Sequence, residues 1–286
     1  MPDLALIARA LDFIEGNLKE PIGVADMADA VGYSLYHFSR TFNQATHHTP
    51  YDYLMRRRLS EAARVLLQTD ERIIDVALDY QFNNPETFSR AFKRMFETQP
   101  SQSRRDGCLD SRWLMPRLTL AHLEQIAKGP YLRPVLEERD AFQVVGLTTL
   151  VKGDRSVIAD LWDLLHQELA NCAGPGVAGD CYGLAWYPEG WEDRGYLYMA
   201  AVEIQGADTG DTALVTKTIP VLTCARFIHK GPRHELPLTL HYVHHTWLPK
   251  SGRSPSHPLI IECYGRDFRA ADRDDSEIGV YLPIEA

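Results

Sequence analysis

The sequence predicts a multidomain chain, with an all-α N-terminal domain holding two homeodomain-like helix-turn-helix units joined by a long helix, then an α+β domain of duplicated strand-helix-strand-strand units. Three observations carry this prediction. Phe38-Ser39-Arg40-Thr41-Phe42 recurs about fifty residues later as Phe88-Ser89-Arg90-Ala91-Phe92. The run between the copies has helical periodicity, and beyond Gly129-Pro130 the texture changes to short β-rich segments. At 286 residues the chain also exceeds one compact domain.

In the first unit, Val24 to Val31 forms a short amphipathic helix in which Ala28 allows close approach of a second helix. Gly32, four residues on, supplies the tight turn, and Ser34 caps the next helix. Phe38 and Phe42 stand four apart and face the core, so Ser39 and Arg40 point outward. Tyr51 to Gln68 reads as one helix with an apolar stripe of Leu54, Leu59, Ala62, Ala63 and Leu66. At 1.5 Å per residue it spans roughly 27 Å, a strut that can set two recognition helices about one DNA turn, roughly 34 Å, apart. The second unit repeats the scheme with Ile73 to Tyr80 and Ala77. Gln81 stands in place of the turn glycine, the turn is one residue longer, and Asn84-Pro85 starts the outer helix.

These residues resemble the DNA-binding domain of the AraC/XylS regulators, in their Rob-like branch. The resemblance runs over residues 5 to 105 and rests on Ala28-Asp29-Ala30-Val31-Gly32-Tyr33-Ser34, Arg56-Arg57-Arg58-Leu59, Ile74-Asp75-Val76-Ala77, Phe88 to Lys93, Pro100 and Arg104. Gln81, Glu97 and Ser103 depart from the family pattern. The resemblance implies that Tyr36, Ser39 and Arg40 face bases from the first recognition helix, and Glu86, Thr87, Ser89 and Arg90 from the second. Arg40 and Arg90 suit guanine or phosphate contact, and Tyr36 and Ser39 can add hydrogen bonds or thymine-methyl contact. Glu86 either accepts from cytosine or faces the positive end of its helix dipole.

Net charge is −9, of which −2 falls on residues 1–107 and −7 on the remainder, so whole-chain charge argues against nucleic-acid binding. Its distribution is more informative: Arg40, Arg56, Arg57, Arg58, Arg90, Lys93, Arg94, Arg104 and Arg105 fall in a few short segments. One basic face on an acidic domain suffices for phosphate contact.

The expected domain bounds are 1–107 for the DNA-binding part, 108–129 for a linker that is partly helical around Leu118 to Ala127, and 130–286 for the second domain. There the β-rich runs are Val144 to Val151, Tyr182 to Tyr187, Tyr196 to Val202, Leu222 to His229, Leu259 to Tyr264 and Ile278 to Leu282, with helical patterns at Val157 to Ala170 and Leu236 to Trp247. Alternation sets Ile260, Glu262 and Tyr264 on one face of their strand, and a carboxylate there is costly to bury unpaired. Val145-Gly146-Leu147, Phe227 to Pro232, Trp247 to Gly252 and Pro258 to Tyr264, in that order, resemble the gyrase-inhibitor-like (GyrI-like) effector-binding domain. That resemblance implies a ligand pocket for cationic or drug-like molecules with Glu262 at its centre. Trp186, Tyr187, Trp191, Trp247 and Tyr264 are its expected walls, since aromatic faces attract cations. Some domains of this kind are hydrolases, so the alternative is a small-molecule hydrolase with Glu262 as general base.

Five scattered cysteines suggest reduced thiols rather than disulfides or a thiolate zinc site. His241, His244 and His245 lack a third ligand at metal spacing, and no cofactor motif is found. The start of the chain has no signal-peptide pattern and no apolar run long enough to span a membrane. The expectation is a non-enzymatic, cytoplasmic regulator that uses no cofactor or metal, whose partners are double-stranded DNA, RNA polymerase and a small-molecule effector.

Overall fold

The structure, a computed structural model, describes residues 2–109, 113–171, 179–188, 194–204 and 214–285. It divides into two compact units, Met1–Lys128 with Leu240–Lys250, and Gly129–Thr239 with Ser251–Ala286.

The first unit begins with α1 (Leu4–Gly16), α2 (Val24–Asp29), α3 (Leu35–Thr46) and α4 (Pro50–Gln68), and continues with α5 (Ile73–Asp79), α6 (Pro85–Phe96), α7 (Pro100–Asp106) and α8 (Leu120–Ala127). The caps follow from sequence: Ser34, Thr49 and Asn84 accept from the backbone N–H three residues on, and Pro50 and Pro85 open α4 and α6. Phe38, Phe42, Tyr53, Phe88 and Phe92 are fully buried, as are Ala28 and Ala77.

The two turns are closed alike. Tyr33 N–H donates to the Ala28 carbonyl at 3.0 Å and Phe82 N–H to that of Ala77 at 2.9 Å. Gly32 (φ 71°) and Gln81 (φ 65°) both occupy the left-handed region. A residue with a Cβ is strained there by ~1–2 kcal/mol, and the Gln81 amide donates to the Lys19 carbonyl at 2.6 Å, which offsets part of that strain. Glu97 (φ 60°) ends α6 as His47 (φ 58°) ends α3. These two departures from the family pattern therefore keep the turn and cap conformations.

The basic triplet at the start of the strut turns inward. Arg57, 4% exposed, donates from Nε and Nη2 to the two Glu15 carboxylate oxygens at 2.8 Å each, from Nη2 to Glu61, and from Nη1 to the Met115 carbonyl. Tyr53 O–H donates to Glu15 and accepts from Leu118 N–H. Arg58 donates to the carbonyls of Leu18 and Glu20, Arg56 pairs with Asp52, and Arg104 donates to the Leu66 carbonyl. The segment expected to be a tether is instead part of this core: Met115, Leu118 and Leu123 are buried in it.

Leu240–Lys250 packs in the same unit. His48 bridges Asp52 and Thr246, and His122 meets His241 with ring centroids 4.3 Å apart. Burial and neighbouring imidazoles push His245 down to about 3 and lower His241, so both stay neutral. Among the described residues no group of His, Cys, Asp and Glu could hold a metal ion.

The second unit contains β1 (Val135–Arg139), β2 (Phe142–Val151), α9 (Val157–Asn171), β3 (Cys181–Trp186), β4 (Tyr196–Ile204), β5 (Val215–Ile219), β6 (Leu222–Lys230), β7 (Leu259–Tyr264) and β8 (Glu277–Pro283). The helix expected at Leu236 to Trp247 is α10 (Leu236–Tyr242), a π turn (Val243–Trp247) and α11 (Leu248–Ser251). The strands form one antiparallel sheet in the order β1-β6-β8-β7-β3-β4-β2-β5, which maps onto itself when the halves are exchanged. Each repeat thus carries one strand more than the pattern predicted. β1 pairs with β6 and β5 with β2, so each added strand completes the other half. Both are edge strands rich in charged and polar residues, which hides them from apolar patterning. Ile158, Leu161, Trp162 and Leu165 of α9 pack on one sheet face with Ala185, Tyr198 and Tyr264. Tyr182, Leu184, Leu222, Leu259 and Ile261 fill the opposite face. No helix among the described residues is long and apolar enough to cross a membrane.

Arg57→Ala leaves the buried Glu15 carboxylate without its cation, and is expected to destabilise the first unit by about 3–5 kcal/mol. Urea unfolding followed by helical circular dichroism checks this; a loss below about 1 kcal/mol contradicts the network's role. Because His245 and His241 titrate lower in the folded than in the unfolded chain, their neutral packing stabilises fully above about pH 6.5. That stability is lost as pH falls toward the folded value, so the melting temperature should drop between pH 7 and pH 5, and less so in His245→Phe.

Candidate functional site

Helices α3 and α6 present matching outer faces. Tyr36 is 78% exposed, His37 and Arg40 are exposed and Ser39 is half-buried; Glu86, Thr87, Arg90 and Ser89 repeat this pattern around buried Phe38 and Phe88. The structure therefore brings Tyr36, Ser39 and Arg40 together on one helix face, and Glu86, Thr87, Ser89 and Arg90 on the other. His37, the counterpart of Thr87, was missed by sequence reasoning; it packs edge-on against Tyr33 at 4.5 Å. Ser89, Arg90, Lys93, Arg94 and Gln99 line a cavity of about 390 Å³. The clustered basic residues divide into two sets. Arg56, Arg57, Arg58 and Arg104 are committed to internal partners, whereas among the described residues Arg40, Arg90, Lys93 and Arg94 have no carboxylate within 4 Å. A charge left unpaired on a convex helix face is free to meet phosphate or a base edge.

In the second unit Glu262 is 3% exposed, on the α9 side of the sheet. Its Oε2 accepts from Tyr264 O–H at 2.6 Å and Tyr198 O–H at 2.8 Å, and Trp162 Nε1–H donates to the Tyr198 oxygen at 3.3 Å. Trp162 also meets Tyr264 edge-on at 5.2 Å, and Phe268 packs edge-on against Tyr264 at 4.9 Å. Tyr187 stacks on Tyr196 at 4.7 Å; burial raises both phenols, and the charge of Glu262 adds to that rise. Gly183 lies opposite Glu262 across the β3–β7 pair. A Cβ there would stand 2.1 Å from the Tyr198 hydroxyl and 2.4 Å from Glu262 Oε2, so the carboxylate and phenol use the space that glycine leaves. Burial pushes the Glu262 carboxyl above its usual range, while the two phenol hydrogen bonds and the charges of Arg155 and Arg233 pull it back.

The expected aromatic wall is only partly correct. Tyr264 touches Glu262, and Tyr187 belongs to the same cluster. Trp186 does not: it pairs with Leu259 and shares the sheet face of Leu184 and Ile261, opposite that of Glu262. Trp247 lies in Leu240–Lys250, which belongs to the first unit, and Trp191 lies outside the described residues. Trp162, Tyr196, Tyr198, Phe268 and Gly183 were missed. Tyr198 and Tyr196 alternate along β4, a phase visible in sequence once register with β3 is known. The hydrolase alternative meets a carboxylate whose Oε2 already accepts from two phenols and that is sealed from water, which suits it poorly to be a general base.

Fold and geometry together define a chain that couples tandem helix-turn-helix units to a duplicated α+β domain with a buried carboxylate. Residues 133–285, more than half the chain, match the GyrI-like small molecule binding domain, and residues 27–106 match the helix-turn-helix domain of AraC type. The chain belongs to the GyrI-like family, with an AraC/XylS-type helix-turn-helix region at its N-terminal side. The transcriptional regulator Rob of Salmonella typhimurium is 36% identical over 120 residues, 42% of this chain and 42% of Rob. The multiple antibiotic resistance protein MarA of the same organism is 32% identical over 115 residues, 40% of this chain and 91% of MarA. A solved AraC-type transcriptional regulator from Chromobacterium violaceum covers 36% of this chain and 93% of its own, with 28% identity and a TM-score of 0.35. The chain thus matches about two-fifths of the length of Rob and of the right origin-binding protein of Escherichia coli, 42% in each.

Gly183→Ala is expected to displace Tyr198 or Glu262 and destabilise the second unit by about 1–3 kcal/mol; an unchanged melting temperature contradicts the packing. The unfolded chain ionises Glu262 at lower pH than the folded one. Folding therefore loses stability as pH rises from the ordinary carboxylate range through the raised folded value. In Glu262→Gln that loss should vanish, so the gap in melting temperature between variant and parent widens in the variant's favour from pH 4.5 to 8.

Proposed function

We propose that the chain is a cytoplasmic transcription regulator that reads DNA with α3 and α6 and senses a small molecule through its GyrI-like domain. The observation that carries the reading is the duplicated helix face: two equivalent surfaces, each with an outward arginine that has no carboxylate within 4 Å among the described residues, at the two ends of one helix. Tyr36, Ser39 and Arg40 contact bases in one half-element, and Glu86, Thr87, Ser89 and Arg90 in the other. Lys93 and Arg94 suit the phosphates beside α6. With both readers on one chain, bipartite recognition needs no dimer. RNA polymerase is the proposed protein partner, as suits a regulator of the kind that Rob is named to be.

The effector reading rests on Glu262. A buried carboxylate held by two phenols and edged by Trp162, Phe268 and the Tyr187–Tyr196 stack offers charge and aromatic faces to a cationic or aromatic ligand. Such a ligand enters by displacing aromatic side chains, so its affinity includes the cost of opening the cluster.

Selection of bound sequences from a random DNA pool, with the full-length chain at fixed salt, should recover two half-elements about one turn apart. Absence of any enriched sequence contradicts the regulator reading. Arg40→Ala should weaken binding to the selected site by about 1–3 kcal/mol and relax one base position; unchanged affinity and preference remove Arg40 from the reading set. A thermal-shift series with lipophilic cations should stabilise the parent chain and not Glu262→Gln, and equal shifts in both would place the cation elsewhere.

A further inference from the structure

The displacement of Trp186 from the Glu262 side opens a second question on the opposite face of the sheet. There Trp186 at the end of β3, Lys217 to Leu222 at the β5–β6 turn, excluding Val221, and His257 to Leu259 at the start of β7 enclose a cavity of about 160 Å³. We propose that this cavity is a binding site for a small aromatic monocarboxylate, separate from the Glu262 cluster and independent of the effector reading made for it.

Size, polarity and charge all narrow the occupant. An apolar cavity of about 150 Å³ accepts one benzene ring, so this one takes a single ring with its substituent at the rim. Ile219, Leu222 and Leu259 are buried and apolar, Pro220 and Pro258 add apolar surface, and the Trp186 indole supplies an aromatic wall. Among the described residues the lining contains no carboxylate, and its one fixed charge is Lys217, whose Nζ stands 4.8 Å from the centre of the Trp186 ring. Among the described residues Lys217 has no acidic partner, although the sequence carries more acidic than basic residues. An exposed cation–π contact is weaker than a charge-assisted hydrogen bond to a carboxylate. The ammonium can therefore leave the indole face, donate to a carboxylate at the rim, and free that face for the ring. Beside the cavity the chain meets the opposite need internally: Arg139, the register partner of Leu222, stacks against Phe142, Tyr182 and Tyr281 within 4.6–5.2 Å. Those rings are already filled by the protein's own cation, which leaves the Trp186 indole as the open one.

The two sites differ in the sign of charge they accept, which separates their tests. Sodium benzoate titrated into the full-length chain at pH 7 should shift the indole N–H resonance of Trp186, assigned by its loss in Trp186→Phe. Lys217 is exposed, so Lys217→Gln should fold normally and bind benzoate at least tenfold more weakly. Benzyl alcohol, which keeps the ring and lacks the charge, should be weakened to a similar degree against the parent chain. Glu262→Gln should bind benzoate as the parent does. No shift of the Trp186 resonance, or equal benzoate affinity in the parent and Lys217→Gln, overturns the assignment; binding of benzylammonium in preference to benzoate overturns its charge. Loss of benzoate binding in Glu262→Gln would make the two sites one, and would equally overturn it.

Discussion

The first unit depends on one buried guanidinium. Arg57 sits near the middle of α4 with its charge met by Glu15 and Glu61 and its remaining donor by the Met115 carbonyl. An uncompensated charge at that depth would cost several kcal/mol, so the position is stable only when α1, α4 and the chain at 115–118 arrive together. Tyr53 and Ser60 reinforce the closure through Leu118 and Met115. A helix secured in this way acts as a fixed strut. Helices α3 and α6 at its two ends then inherit their separation from a rigid element rather than from a flexible joint.

The same logic of commitment explains which basic residues lack an internal carboxylate partner. In a nearly balanced domain, cations meet carboxylates wherever geometry allows, and Arg56, Arg57, Arg64 and Arg72 do so. Those on α3 and α6 point outward because the buried phenylalanines fix the helix rotation, and among the described residues none of them has a carboxylate within 4 Å. The second unit uses one carboxylate differently. Glu262 is tolerated in the sheet because Tyr198 and Tyr264 donate to it and Gly183 vacates the space beneath it.

Much of this was legible in the sequence, and the failures have physical causes. Repeat and cap residues located α2 to α6 because local chemistry, Asn84-Pro85 and Ser34 above all, decides those boundaries. Arg57 and Arg58 read as surface charge because their partners, Glu15 and the carbonyls of Leu18 and Glu20, lie 38 to 42 residues away, and no local pattern announces them. The segment at 115–127 read as a tether since its anchors are single residues, Met115, Leu118 and Leu123, rather than a periodic face. β1 and β5 were hidden by edge-strand polarity. Alternation along one strand put Glu262 and Tyr264 on one face and the resemblance singled out Glu262, whereas Trp186 was expected as a wall although it lies on the opposite face, because the β3–β7 register, Gly183 opposite Glu262, is a tertiary fact.

The central claim is that a rigid strut fixes two DNA readers at one separation. Measuring affinity for a bipartite site as base pairs are inserted between its halves tests it most directly. An insertion of about five base pairs, half a helical turn, should reduce affinity to that of a single half-element, with partial recovery near a full turn excluded by the length of α4. Equal affinity at every spacing would contradict a fixed strut and assign the second helix-turn-helix unit no part in recognition.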